Sequence, residues 1–110
     1  MKLHHEPFEL IKNGFKTIEM RLFDEKRQLL NLGDEITFTD TSNEHQITCE
    51  VLSLNEYKDF TELYKNYDKK DLGYSNDEIA NPKDMLRYYS EEDIKDYGVI
   101  AIKIKEVGTF

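Results

Sequence analysis

The 110-residue chain holds one cysteine, two prolines and five glycines, and each scarcity excludes something. A single thiol, Cys49, cannot close an internal disulfide. It lies in the alternating stretch "HQITCEVL", which reads as a small buried hydrophobe rather than a nucleophile. No apolar run approaches the roughly 20 residues of a membrane span. The opening "MKLHHEPFEL" has no signal-peptide hydrophobic core, so cytoplasmic residence is expected. The few glycines form no phosphate-cradling loop, and there is no serine elbow and no Cys–His nucleophile pattern. His4, His5 and His45 fit no zinc spacing, so no metal and no other cofactor is expected; His4 with Glu6 is only a chance pair. No repeat, low-complexity tract or linker interrupts the chain, and one domain over residues 1–110 is expected.

Positive charge is also short. The net charge is −8, which argues against a long-range basic field that grips any phosphate backbone. The deficit is uneven. Residues 1–27 carry six basic groups against five acidic ones, while the remainder carries nine against eighteen. An anion site, if present, belongs in the first quarter of the chain. A small shaped site suits this balance better than a long nucleic-acid track.

What is present is 38% hydrophobic and 35% charged residues, an ordinary globular mixture. Glu6 to Gly14 predicts a short helix, with Pro7 at its first turn, Phe8, Ile11 and Phe15 on one side, and Asn13-Gly14 as its stop. Thr17 to Phe23 predicts a strand. Asp24 to Asn31 is a charged connection anchored by Leu29-Leu30, closed by a turn at Leu32-Gly33-Asp34. Glu35 to Asp40 and His45 to Leu54 alternate as strands. The phase shifts at Leu52-Ser53-Leu54, which predicts a bulge or bend. Tyr57, Phe60, Leu63, Tyr64 and Tyr67 recur at helical spacing, predicting a helix over Asp59–Tyr67. Short helical turns follow, with a capping box at Ser90 and Asp93 and a stop at Gly98. Val99 to Lys105 alternates as the last strand. Short strands with one inward face, plus helices, predict an α+β fold: a small, partly closed antiparallel barrel with short helices at its side or ends.

Two groups are candidates for chemistry. In "FKTIEMRL", Thr17, Glu19 and Arg21 share one strand face, with Lys16 at its mouth. Lys16 and Arg21 would hold Glu19 ionised; such a carboxylate reads a base amine while the cations hold a phosphate or carbonyl. Spacing alone favours a solvated strand with cross-paired charges, worth well under ~1 kcal/mol. The second group is Tyr88-Tyr89 with Arg87 and Tyr74, aromatics beside a cation that suit stacking on a nucleobase. Adjacent tyrosines on one helical turn do not both face a core, so one of the pair is expected at the surface. Tyr57, Tyr64 and Tyr67 read as core. Asp59, Glu62, Asp84, Glu91 and Glu92 read as solvated faces, of which one enters a cleft at most.

The run "PFELIKNGFKTIEMRLFDEKRQLLNLGDEITF" resembles the ASCH domain family. The resemblance rests on Gly14, Lys16, Thr17, Glu19 and Arg21 and on the Gly33-Asp34 turn, and continues through "FTELY", "DMLRYYS" and "YGVIAIKI". It implies a PUA-like β-barrel whose cleft binds RNA or a nucleotide-like ligand along Lys16, Thr17, Glu19 and Arg21, with Tyr88 or Tyr89 as a wall. One branch of the family resembles an N4-acetylcytidine amidohydrolase that uses a lysine, a threonine three positions later and a distant glutamate. Here Lys16 matches the lysine, Glu19 occupies the threonine position, and Thr17 lies in another register. An enzyme would then rest on Lys16 and on Glu19 as general base. Another branch resembles a ribonuclease.

Overall fold

The computed structural model describes residues 1–109, with side chains described as far as Val107. Its elements run β1 (Lys2–Leu3), α1 (His5–Lys12), β2 (Ile18–Leu22), a 3₁₀ turn (Arg27–Leu29), β3 (Glu35–Asp40), β4 (Gln46–Tyr57), α2 (Phe60–Tyr64), a second 3₁₀ turn (Pro82–Arg87), α3 (Glu91–Tyr97) and β5 (Val99–Thr109). The five strands form one curled sheet, a half-barrel, in the order β1-β3-β4-β5-β2. Antiparallel pairing holds for β2–β5, β3–β4 and β4–β5. The expected antiparallel sheet is mixed at one edge, where β1 runs parallel to β3 with Lys2 opposite Thr39. Two residues are too few to display an alternation, so β1 leaves no periodic trace in the sequence.

Each sheet face carries its own core. Ile36, Phe38, Ile47, Cys49, Val51, Ile100, Ile102 and Ile104 pack with Leu3 and with Phe8 and Ile11 of α1. Val99, Ala101, Ile18, Met20 and Leu22 pack on the other face with Phe60 and Leu63 of α2, Leu72 and Met85. Burial pushes the Cys49 thiol up to about 11, in keeping with an inert core residue. The register of β4 shifts between Val51 and Ser53, where the phase of the sequence changes.

Capping sets the ends of the later elements. Asp59 accepts a hydrogen bond from the Glu62 N–H and starts α2, a contact worth ~1 kcal/mol. Tyr67 falls outside the shorter helix, and its hydroxyl meets Tyr57 and Asn55 instead. Ser90 caps α3 by accepting from the Asp93 N–H. Gly98 ends α3 with φ 71° and ψ −172°, a conformation essentially confined to glycine, and a Cβ there would come within 3.0 Å of the Tyr57 carbonyl oxygen. No helix is long and apolar enough to cross a membrane among the described residues.

Candidate ligand-binding cleft

The half-barrel fails to close between its edge strands β1 and β2. Arg21 spans that seam: its Nη2 donates to the Lys2 carbonyl oxygen at 3.0 Å. A cavity of about 490 Å³ opens there. Lys2, Leu3 and His4 form one lip, Lys16, Glu19, Met20 and Arg21 the other, and residues from Tyr64 to Tyr89 close it over.

Register explains the state of Glu19. Glu19 pairs with Ile102 and Arg21 with Ile100, so both side chains share the face of the larger core. The intervening Ile18, Met20 and Leu22 are buried on the other face. The polar face of this strand was expected to look outward. It is instead turned inward, because α2 and the Pro82–Arg87 turn cover the apolar face. Glu19 is only 3% exposed and Lys16 9%.

The carboxylate is fully occupied. Glu19 Oε1 accepts from Lys16 Nζ at 3.1 Å and from the Met20 N–H at 3.2 Å. Glu19 Oε2 accepts from Arg21 Nη2 at 2.8 Å and Nε at 3.0 Å. Two lone pairs per oxygen are thereby used. Burial works to raise the Glu19 pKa, but the charges and hydrogen bonds of Lys16 and Arg21 outweigh it and hold the carboxyl below its ordinary value. Burial likewise opposes the charge on Arg21, and Glu19 more than restores it.

Lys16 is placed by backbone on both sides. Its N–H donates to the Leu10 carbonyl at the end of α1, 3.0 Å away. Gly73 presses on its aliphatic stem: with φ 103°, a Cβ at this position would lie 3.2 Å from Lys16 Cδ. Gly73→Ala is expected to cost about 1–3 kcal/mol from the left-handed backbone alone and to push Lys16 off Glu19. Chemical denaturation, with the Lys16 side-chain resonances as the local reporter, checks it.

The other sequence candidates divide. The Thr17 hydroxyl donates to Asp71 Oδ1 at 3.0 Å and is outside the cavity lining. Tyr88 and Tyr89 both line the cavity, in different ways. Tyr88 is 51% exposed, beside His4, whereas Tyr89 packs on the Phe60 ring with centroids 6.0 Å apart. Burial pushes the Tyr89 hydroxyl up, and the neighbouring Arg21 works against that rise. Tyr64, which spacing assigned to the core, lines the cavity as well. Its hydroxyl meets that of Tyr74 at 2.8 Å, and Tyr74 donates to Asp84 Oδ2 at 2.8 Å. Of the five acidic residues that read as solvated faces, Asp84 is thus the one that enters the cleft. A tyrosine ten positions before it is its only sequence trace. Over the whole lining, four basic side chains (Lys2, Lys16, Arg21, Arg87) face four acidic ones (Glu6, Glu19, Glu78, Asp84).

Comparison with known proteins places the fold. The family described as the ASCH domain matches residues 1–108. The crystal structure of the hypothetical protein PH0355 superposes with a TM-score of 0.78 at 30% identity, over 97% of this chain and all of that one. Protein PF0455 from Pyrococcus furiosus gives 0.69 at 29% identity, over 97% of this chain and 98% of that one. A ZmASCH mutant protein from Zymomonas mobilis, 18% identical, shares the fold with a TM-score of 0.64 over 99% of this chain and 68% of that one. No curated protein matches. The mixed curled sheet with short flanking helices is that of ASCH structures of the PUA-like fold, and this chain belongs to the ASCH domain family.

Proposed function

We propose that the seam cleft binds a nucleotide or a short single-stranded RNA segment and performs no chemistry on it. The saturated Glu19 carries this reading. A general base needs a free lone pair and a pKa near the working pH. Glu19 has neither, since Lys16, Arg21 and the Met20 N–H take its acceptors and its pKa is held down. Nor does a nucleophile replace it: the Thr17 hydroxyl and its partner Asp71 both lie outside the cavity lining. The amidohydrolase and ribonuclease readings therefore lack a base on this strand.

What remains at the cleft suits recognition. Lys16 has further protons beyond the one given to Glu19, and Arg21 is fixed in orientation by its fork onto Glu19. Both are prepaid in geometry to meet a phosphate or a carbonyl. Tyr88 offers a half-exposed ring for stacking. Four cations against four anions favour one small ligand, with a salt dependence of one or two phosphate contacts at most. ASCH domains are in general RNA-binding or hydrolase-like, which agrees with this class of ligand.

An amide-resolved NMR titration with cytidine, N4-acetylcytidine and a short single-stranded RNA tests the reading. Shifts are expected at Lys16, Arg21 and Tyr88, with unchanged ligand signals. Tyr88→Ala, at an exposed site, is expected to weaken binding about tenfold, within the roughly 1–3 kcal/mol of one stacked base, and to keep the fold. A growing acetate signal or cleaved RNA would replace the binding reading with the hydrolase one.

A further inference from the structure

The sequence places Asp40 far from His5 and Glu9, and the fold brings the three together away from the Lys16–Glu19–Arg21 network. His5 and Glu9 stand four residues apart in α1, on one helical face. Asp40 ends β3 and is fully buried. One ring nitrogen and one oxygen from each carboxylate all lie within 4.8 Å of one another. From this constellation we infer a divalent transition-metal site, of the kind that takes Zn²⁺, at the junction of α1 and β3.

Four observations carry the assignment. The donors are mixed, one imidazole and two carboxylates, a set that suits zinc and neighbouring transition metals; magnesium and calcium favour all-oxygen shells. Asp40 is already oriented from behind. Ser42 donates to its Oδ1 from both the hydroxyl, at 2.7 Å, and the N–H, at 2.9 Å, which leaves Oδ2 turned to His5 Nδ1 at 2.7 Å. Hydrogen-bonded support of this sort behind a ligating carboxylate fixes its aim. Glu9 makes no side-chain hydrogen bond or ion pair among the described residues, although it stands half-buried beside His5. Finally, three protein donors leave a coordination position for water, the usual arrangement of an open zinc site. Ligands of tetrahedral zinc lie ~3.4 Å apart for bonds of about 2.1 Å. The 2.7 Å hydrogen bond between His5 Nδ1 and Asp40 Oδ2 is shorter than that, so the ion would take the place of the proton between them.

The position gives the site a use. His4, Glu6 and Pro7, which flank His5, and Thr41, which follows Asp40, all line the cleft. A metal bridging α1 to β3 would pin the β1 side of that rim. The site stands whether or not the cleft binds nucleotides.

The test uses the whole chain, stripped with a chelator, and ZnCl₂ as probe, by calorimetry and thermal unfolding. One ion per chain is expected. At a hundredfold excess over its Kd, the Tm should rise by about 10 °C or more, restored to the starting value by chelator. His5→Ala removes a ligand and also the contact to Asp40, so the sharper variant is Glu9→Gln, which keeps the size of the side chain and breaks no side-chain hydrogen bond among the described residues. Glu9→Gln is expected to fold as the native chain does and to bind Zn²⁺ at least tenfold more weakly, while His45→Ala, outside the site, binds as the native chain does. MgCl₂ is expected to leave the Tm unchanged. The inference is overturned by no Zn²⁺-dependent shift in the native chain, by equal affinity in Glu9→Gln, by a loss in His45→Ala, or by Mg²⁺ acting as strongly as Zn²⁺.

Discussion

Glu19→Ala is expected to lower stability by about 3–5 kcal/mol, the cost of breaking a buried ion network from one side. The physical reason is what the substitution leaves behind. Lys16 and Arg21 are 9% and 14% exposed at their side chains and meet through the same carboxylate. Without it, two like charges share a poorly solvated space, and the Met20 N–H loses its acceptor. In urea the transition midpoint should fall with little change in slope, because the surface exposed on unfolding is nearly the same. Replacing all three charges with apolar residues of similar volume should restore most of the loss, since no uncompensated charge then remains. That triple variant would fold and would not bind the ligand, which separates the contribution of the network to the fold from its contribution to recognition.

The pH dependence follows in sign. Burial raises the Glu19 pKa, the two cations lower it by more, and the folded-state value ends below the ordinary 4.5. The unfolded chain therefore takes up this proton first as pH falls. The stability that Glu19 adds is complete above about pH 4.5 and is lost as pH drops through the depressed folded value. Glu19→Gln, which cannot titrate there, should differ from the native chain at pH 7 and converge with it in acid. A difference that stayed constant down to strongly acid pH would mean that the Lys16 and Arg21 charges do not depend on this carboxylate.

The extent to which this site was legible in the sequence follows from how local its signals are. Alternation at Glu35–Asp40 and Val99 onward is written within a few neighbouring residues, and those strands form where it predicts. The same alternation put Glu19 and Arg21 on one face, correctly, but could not say what covers the other face of β2. That depends on Phe60, Leu63 and Met85, residues far along the chain from β2. Hence a strand that reads as solvated is buried on both sides. Asp84 was hidden for the same reason: its place in the cleft comes from Tyr74 and Tyr64, and a charge in a polar helical turn looks like any other solvated one. β1 was hidden by brevity, and His5–Asp40 by separation along the chain.

Phe8→Ala carries the other large expected effect, also about 3–5 kcal/mol, and it should be felt unevenly. Phe8 is 1% exposed and, with Ile11, is one of the two buried residues of α1. An eight-residue helix is marginal by itself in water, and α1 has no side-chain bond at its N-cap His4. Its stability is therefore its packing, and most of that packing is one aromatic ring in the larger core. Removal of the ring should free α1 before it unfolds the β4–β5 pair. Hydrogen exchange should show this as lost protection across His5–Lys12 with β4 and β5 amides falling only to the lowered global limit. The cleft should follow α1, since the Leu10 carbonyl receives the Phe15 and Lys16 N–H groups and so fixes where Lys16 enters the network. Ligand affinity in Phe8→Ala should then drop although no ligand-facing atom has changed. Phe8→Leu, which keeps most of the volume, should cost less than about 1.5 kcal/mol and recover the affinity. Uniform loss of protection in Phe8→Ala, with affinity intact, would mean that the cleft is held by the sheet alone and that α1 only covers the core.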